Sequence, residues 1–167
     1  MLIDCTYFTA GPRHIQNATL GVLDANAQEV CAAIETYIDK YQKPFLRGVL
    51  GDAVSKQALE YIKSLDDDGA ERDVDFDIVL EQLKEPLANY VYYKILRDSG
   101  LQATLTGVVR LKSANTYVSP IKQQVIAWNE MVEAVADFKQ WCDDGECPIP
   151  DVQTSENFTT KINTFNL

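Results

Sequence analysis

The sequence predicts a mainly α fold: a helical bundle of about four helices, with a projecting extended or β-hairpin arm and extended N- and C-terminal segments. Three observations carry this. Apolar residues recur at steps of three and four through most of 23–145. The stretch PLANYVYYKILRD, Pro86 to Asp98, has only Asn89 and Lys94 as polar residues between Leu87 and Leu96, so a helix there is apolar around most of its circumference and reads as the central one. After Gly100 the period changes, and ATLTGVVRLK has the β-branched composition of an extended ribbon.

The elements follow in order. Residues 1–22, punctuated by Gly11-Pro12 and Gly21, read as an extended N-terminal arm. Asn26 and Glu29 form a capping-box pattern, and Val30, Ile34, Tyr37, Ile38 and Tyr41 give one face to a helix from about Ala27 to Tyr41. Lys43-Pro44 interrupts it. Phe45, Leu46, Val49 and Leu50 add one or two turns before Gly51 as a C-cap, and Asp52 opens a helix over roughly Ala53 to Leu65. The run Asp66-Asp67-Asp68-Gly69 is a loop.

The central segment opens near Asp75 to Asp77 and keeps Leu80, Leu83, Leu87, Val91 and Ile95 on one face, with a kink or short break expected at Lys84-Glu85 before Pro86. The arm covers 101–118. Ser119-Pro120 then starts the last helix, in which Ile121, Val125, Trp128, Val132, Val135, Phe138 and Cys142 form a long core face. Residues 146–167, with Pro148 and Pro150 and few apolar anchors, read as a loose, extended C-terminal tail. Both terminal segments either pack on their own domain or are held by neighbouring subunits.

A chain of 167 residues suits one domain with a real core. Its 15 basic and 25 acidic residues leave a net charge of −10, a poor footprint for gripping a phosphate backbone, so sequence-specific nucleic-acid binding is not expected. An acidic surface does suit a wall past which DNA slides without sticking. No run is long and apolar enough for a membrane span, and MLIDCTYF lacks the pattern of a secretion signal, so a soluble chain made in the cytoplasm is expected. On that compartment argument Cys5, Cys31, Cys142 and Cys147 are expected to be reduced thiols.

Catalytic and metal motifs find little support. Asp73, Asp75 and Asp77 resemble a calcium loop, but Ile78 stands where glycine is needed and Lys84 where a glutamate is needed. Cys142 and Cys147 frame DDGE and could hold zinc only with two further ligands, for which His14 and Cys5 are candidates that nothing in the spacing demands. His14, the one histidine, lies in the N-terminal arm and reads as a surface or hydrogen-bonded residue rather than a catalytic one, and no P-loop, GxSxG or HExxH occurs. The expectation is no enzyme, cofactor or metal. Tyr90, Tyr92 and Tyr93 read as core or protein interface rather than as a base-stacking platform.

LANYVYYKILRDSG followed by TGVVRLKSANTYVSPIKQQVIAWNEMVEAV resembles a family of small virion proteins of phages infecting Bacteroidetes, the head-to-tail connector (neck or adaptor ring) components. The matching features are Ala-Asn-Tyr-Val-Tyr in the central helix, the Thr-Gly-Val arm, the Ser-Pro helix start and Ala-Trp-Asn-Glu-Met-Val in the last helix. With the weaker YIDKYQKPFLRGVLG, the resemblance spans about Tyr37 to Trp141. It implies a virion structural protein, copies of which form a ring, a dodecamer, between portal and tail for DNA to pass through. Partners would be the chain itself, the portal protein and other neck or tail proteins. Partner-binding residues would be Thr104, Leu105, Thr106, Val108, Val109 and Arg110 in the arm, Tyr90 and Tyr93 on the central helix, and Phe158 and Phe165 in the tail. The alternative is a small cytoplasmic regulatory or inhibitory module that holds one protein with its tyrosine face.

Overall fold

Three helices make the body of the chain: α1 (Ala25–Ser64), α2 (Val74–Asp98) and α3 (Ile121–Asp143). The computed structural model describes residues 1–18, 25–65, 71–98, 101–104, 107–110 and 120–163, with 101–104 and 107–110 described by backbone alone. The expected bundle of about four helices is therefore corrected to three. The interruption foreseen at Lys43-Pro44 is absent, since the helix passes through Pro44; at Gly51, where the sequence places a helix end, the backbone does leave helical geometry (φ 81°, ψ 172°) within α1. Glycine is the residue that takes this left-handed φ without steric cost.

Pro44 removes one ladder hydrogen bond, but Tyr41, Phe45 and Leu46 around it are buried, and their packing holds the helix together. Likewise, α2 runs unbroken through Pro86, and the break expected at Lys84-Glu85 is absent. Pro86 to Val91 are six consecutive buried residues, so neighbouring elements cover this turn on all sides. Along α2, Leu80, Leu83, Leu87 and Val91 are buried as their spacing requires, and from Tyr92 to Leu96 every residue is half-buried. On α3, Val132, Val135 and Phe138 are buried, whereas Ile121, Val125, Trp128 and Cys142 are half-buried.

Asp73 starts α2 by accepting hydrogen bonds at Oδ1 from the amides of Asp75 (3.0 Å) and Phe76 (3.2 Å). The Tyr61 hydroxyl donates to Asp77 Oδ1 at 2.6 Å and its ring stacks on Phe76, tying the end of α1 to this start.

Between α2 and α3 the backbone forms β1 (Leu101–Thr104) and β2 (Gly107–Arg110), antiparallel, with Leu101 opposite Arg110 and Thr104 opposite Gly107. A projecting β-hairpin arm is not supported by this. The ladder closes locally within the α2–α3 connection, and nothing in it fixes a direction away from the helices.

Neither end of the described chain is a free extended segment. The N-terminal residues fold into 3-10 turns at Cys5–Phe8 and Gly11–Arg13, with Ile3, Cys5 and Phe8 in the core. The Leu2 amide donates to the buried Gln42 side chain at 2.6 Å. Arg13 reaches α2, donating to Asn89 Oδ1 (2.9 Å) and to Glu85 (2.5 Å). Cys5 and Cys31 form a disulfide, which corrects the expectation of four reduced thiols. Packing the first turn on α1 brings their Cα atoms to 5.4 Å, within disulfide range, and a compartment argument carries no information about that distance.

The tail is held at several points. With the helical ladder broken at Gly51, the carbonyls just before it lack helical donors. The tail supplies them: Ser155 N–H to Gly48 O (2.8 Å), Thr154 Oγ1 to Val49 O (2.9 Å) and Gln153 N–H to Leu50 O (3.3 Å). Further on, the Asn129 side chain both donates to Ile162 O (3.0 Å) and accepts from Ile162 N–H (2.9 Å). Lys161 pairs with Glu133 at 2.7 Å. The loose tail expected from composition is thus docked over its described length.

Candidate interaction surface

A cluster of aromatic and charged side chains forms where the last two turns of α2 meet α1, a few residues before β1. Tyr37 and Tyr41 sit one turn apart on α1, and Tyr90, Tyr93, Lys94, Arg97 and Asp98 lie on α2, where i, i+3 and i+4 spacings stack them along one side. The Tyr41 and Tyr90 rings meet edge to face at 6.0 Å, and Tyr37 lies 6.0 Å from Tyr41. From Tyr90 the ring contacts continue to Phe45 (5.6 Å) and Phe158 (5.4 Å), and Tyr93 packs on Trp128 at 5.0 Å.

Lys94 lies among these rings, its Nζ 4.8 Å from the Tyr90 centroid and 5.3 Å from those of Tyr41 and Tyr93. Aromatic faces attract the ammonium. Burial works against its charge, and together with nearby Arg97 pulls its pKa below the ordinary lysine value. Arg97 donates to Asp98 (2.7 Å) and to the Tyr41 hydroxyl (3.1 Å), and the bond to Asp98 is the main reason its pKa is raised. Tyr90 is 6% exposed, and burial pushes its hydroxyl up to about 12. Tyr37, whose hydroxyl faces Asp98 at 3.5 Å, is also raised, first by burial and then by that carboxylate.

Tyr41 and Tyr90 are buried at the base of this cluster, and its outer members, half-buried Tyr37, Tyr93 and Lys94 and exposed Arg97, have the aromatic and cationic composition favoured where one protein packs on another. It contains no nucleophile–base pair. His14 is exposed, and Cys5, one of the candidate zinc ligands, is consumed in the disulfide. Among the described residues no group of three or more His, Cys, Asp or Glu comes together to hold a metal. Nor is any described helix long and apolar enough to cross a membrane.

Of the residues singled out from sequence, the structure brings together Tyr90, Tyr93 and Phe158. Phe158 packs on Phe45, Tyr90 and Trp128 of its own chain, with ring centroids at 5.8, 5.4 and 6.4 Å. Thr104, Val108, Val109 and Arg110 lie in the strand pair, placed by backbone register only. Leu105, Thr106 and Phe165 lie outside the described residues. Tyr37, Tyr41 and Lys94 are members of the cluster that sequence reading did not single out as binding residues. Their signal was present in the one-turn spacings Tyr37–Tyr41 and Tyr90–Lys94, but those same spacings also fit an ordinary core face.

No family model, no curated protein sequence and no solved structure matches this chain.

Proposed function

We propose that the chain is a non-enzymatic structural protein of a tailed-phage virion: a head-to-tail connector subunit, copies of which form a ring, a dodecamer, between portal and tail through which DNA passes. The observation that carries this reading is the half-buried apolar end of α2 next to a two-stranded ladder. Tyr92, Tyr93, Ile95 and Leu96 remain half-buried at the end of α2, and the chain leads from them directly into a two-stranded ladder. Neither outer edge of that ladder is paired among the described residues. Apolar helix surface beside open strand edges is what a neighbouring subunit or a portal can cover, the edges by strand addition. The net charge of −10 favours a DNA conduit over a DNA-binding surface, and the resemblance over Tyr37 to Trp141 supplies the specific assignment. In this reading β1 and β2 act as an arm that docks on a neighbour.

A second reading is favoured by the Lys94–tyrosine cluster, which would serve a small cytoplasmic regulatory or inhibitory module holding one protein equally well. Quantitative mass spectrometry of purified virions separates the two. A copy number equal to the portal's, or in simple ratio to it, supports the connector; absence from virions together with a one-to-one soluble complex supports the module. Deleting Thr104 to Lys112 should abolish incorporation into particles while leaving the helices folded, and normal assembly with that deletion overturns the arm assignment.

A further inference from the structure

The loop that joins α3 to the docked tail is flanked by two free thiols, Cys142 and Cys147. Gly145, at φ 78°, turns the chain back after α3, with its amide donating to Cys142 O (3.1 Å) and the Glu146 amide donating to Trp141 O (3.3 Å). This is a left-handed helix C-cap, and it folds the segment after Gly145 onto the last turn. Cys147 follows immediately. Its Sγ donates to Ile149 O at 3.4 Å, and Cys147 is among the neighbours that raise the Cys142 thiol, after burial. Both are half-buried against the core and neither is in a disulfide.

We propose that Cys142 and Cys147 are a dithiol site that reacts with small-molecule disulfides of the glutathione type, closing a second intrachain disulfide that staples the end of α3 to the start of the tail. The Cys147 thiolate attacks one sulfur of the small disulfide, whose S–S bond breaks as one small thiol leaves with the electron pair. Cys142, giving its proton to solvent, then attacks the Cys147 sulfur of the mixed disulfide, and the second small thiol leaves. In balance, two protein thiols are oxidised and one small disulfide is reduced to two thiols.

The order of attack follows from the surroundings. Burial, the neighbouring Cys147 and then Asp143 push the Cys142 thiol up to about 12, so it stays protonated and is the poor first nucleophile. Once Cys147 is capped, the smaller, thiol contribution to the raised Cys142 pKa is gone while burial remains, so Cys142 is left in place as the slower, resolving thiol. The turn between the two residues already closes through the Gly145 and Glu146 amides, which hold the segment carrying Cys147 against the last turn of α3.

The test uses the full chain, with its Cys5–Cys31 disulfide intact, titrated with oxidised glutathione and followed by intact mass and alkylation mapping. The expected result is loss of both alkylatable thiols without a retained glutathione, and recovery of a peptide linking Cys142 to Cys147. Cys142→Ser should instead trap a stable glutathione adduct on Cys147, while Cys147→Ser should take up glutathione many-fold more slowly. The proposal is overturned if the native chain keeps stable adducts on both cysteines, if the two thiols remain alkylatable under conditions that oxidise the denatured chain, or if oxidation links two chains instead.

Discussion

A methyl group built on Gly48 would lie 2.1 Å from Cε2 of Phe158, so the phenyl ring fills the space that any side chain at this position of α1 would occupy. Gly48 costs the helix roughly 1 kcal/mol relative to alanine by propensity. Gly48→Ala recovers that amount and still lowers stability, because the ring must leave its place against Phe45, Tyr90 and Trp128, an overpacking cost of about 1–3 kcal/mol. The decisive measurement is the same substitution in a Phe158→Ala background. There the denaturant midpoint should rise with Gly48→Ala, and if it falls equally in both backgrounds the notch is not what Gly48 provides.

Trp128 was expected from its spacing to be a core residue whose truncation to alanine costs about 3–5 kcal/mol. Its place is different: it is half-buried, with one face on Tyr93 and Phe158 and its Nε1–H donating to Thr160 O at 2.9 Å. Trp128→Phe keeps an aromatic ring and removes the donor. The loss should be small, roughly 0.5–1.5 kcal/mol, since Thr160 is exposed and its carbonyl can take water instead. Amide exchange should speed up in 159–163 while the amides of α3 stay protected. Uniform acceleration across α3 would mean that Trp128 supports the helix rather than the tail.

The helical faces were legible in the sequence because the same residues that repeat at three and four are those that pack. Ile34 and Ile38, Leu83 and Leu87, and Val132 and Val135 are all buried where periodicity puts them. The breaks were legible only in part. Gly51 interrupts α1 through its own backbone freedom, a local property, whereas Pro44 and Pro86 were outvoted by burial on either side, which is a tertiary property. For the tail, packing on its own domain was one of two alternatives and Phe158 a visible anchor, but where it docks could not be read. Many of its contacts run to backbone across long separations, such as Asn129 to Ile162, Thr154 to Val49 and Ser155 to Gly48, and these leave no period in the sequence. Of the candidate surface, Tyr90 and Tyr93 were recognisable by composition, but the partners from α1 depended on a helix packing that no local pattern encodes.

The Cys5–Cys31 bond closes a loop with a sequence separation of 26. Restricting the unfolded chain over a loop of that size contributes about 3–4 kcal/mol in the chain-entropy account. Cys5→Ala with Cys31→Ala should therefore lower unfolding free energy by about that amount, and a reductant should reproduce the loss in the native sequence. Because Ile3 and Phe8 flank Cys5 in the core, the N-terminal turn should remain docked in the variant at low denaturant. Proteolysis within the first 18 residues of the variant, with the helices still intact, would show that the bond rather than burial holds the turn.

Alkaline pH gives a test of the tyrosine cluster whose sign is fixed. Tyr90 ionises near 10.0 when unfolded and is held up to about 12 in the fold, mainly by burial. Between these values the unfolded chain has lost a proton that the folded chain retains, so stability falls as pH rises. The contribution is whole below pH 10 and gone once pH passes the folded value. Tyr37, Tyr61 and Tyr92 are raised as well and steepen the same branch, Tyr61 chiefly through its hydrogen bond to Asp77 and the other two through burial. Denaturant midpoints measured from neutral pH to about 12, beside tyrosinate absorbance, should show a flat region and then a decline that begins as the unfolded tyrosines ionise. Tyr90→Phe removes the most strongly shifted of these groups, so its decline should be shallower; an unchanged slope would mean that the Tyr90 hydroxyl is solvated in the folded chain.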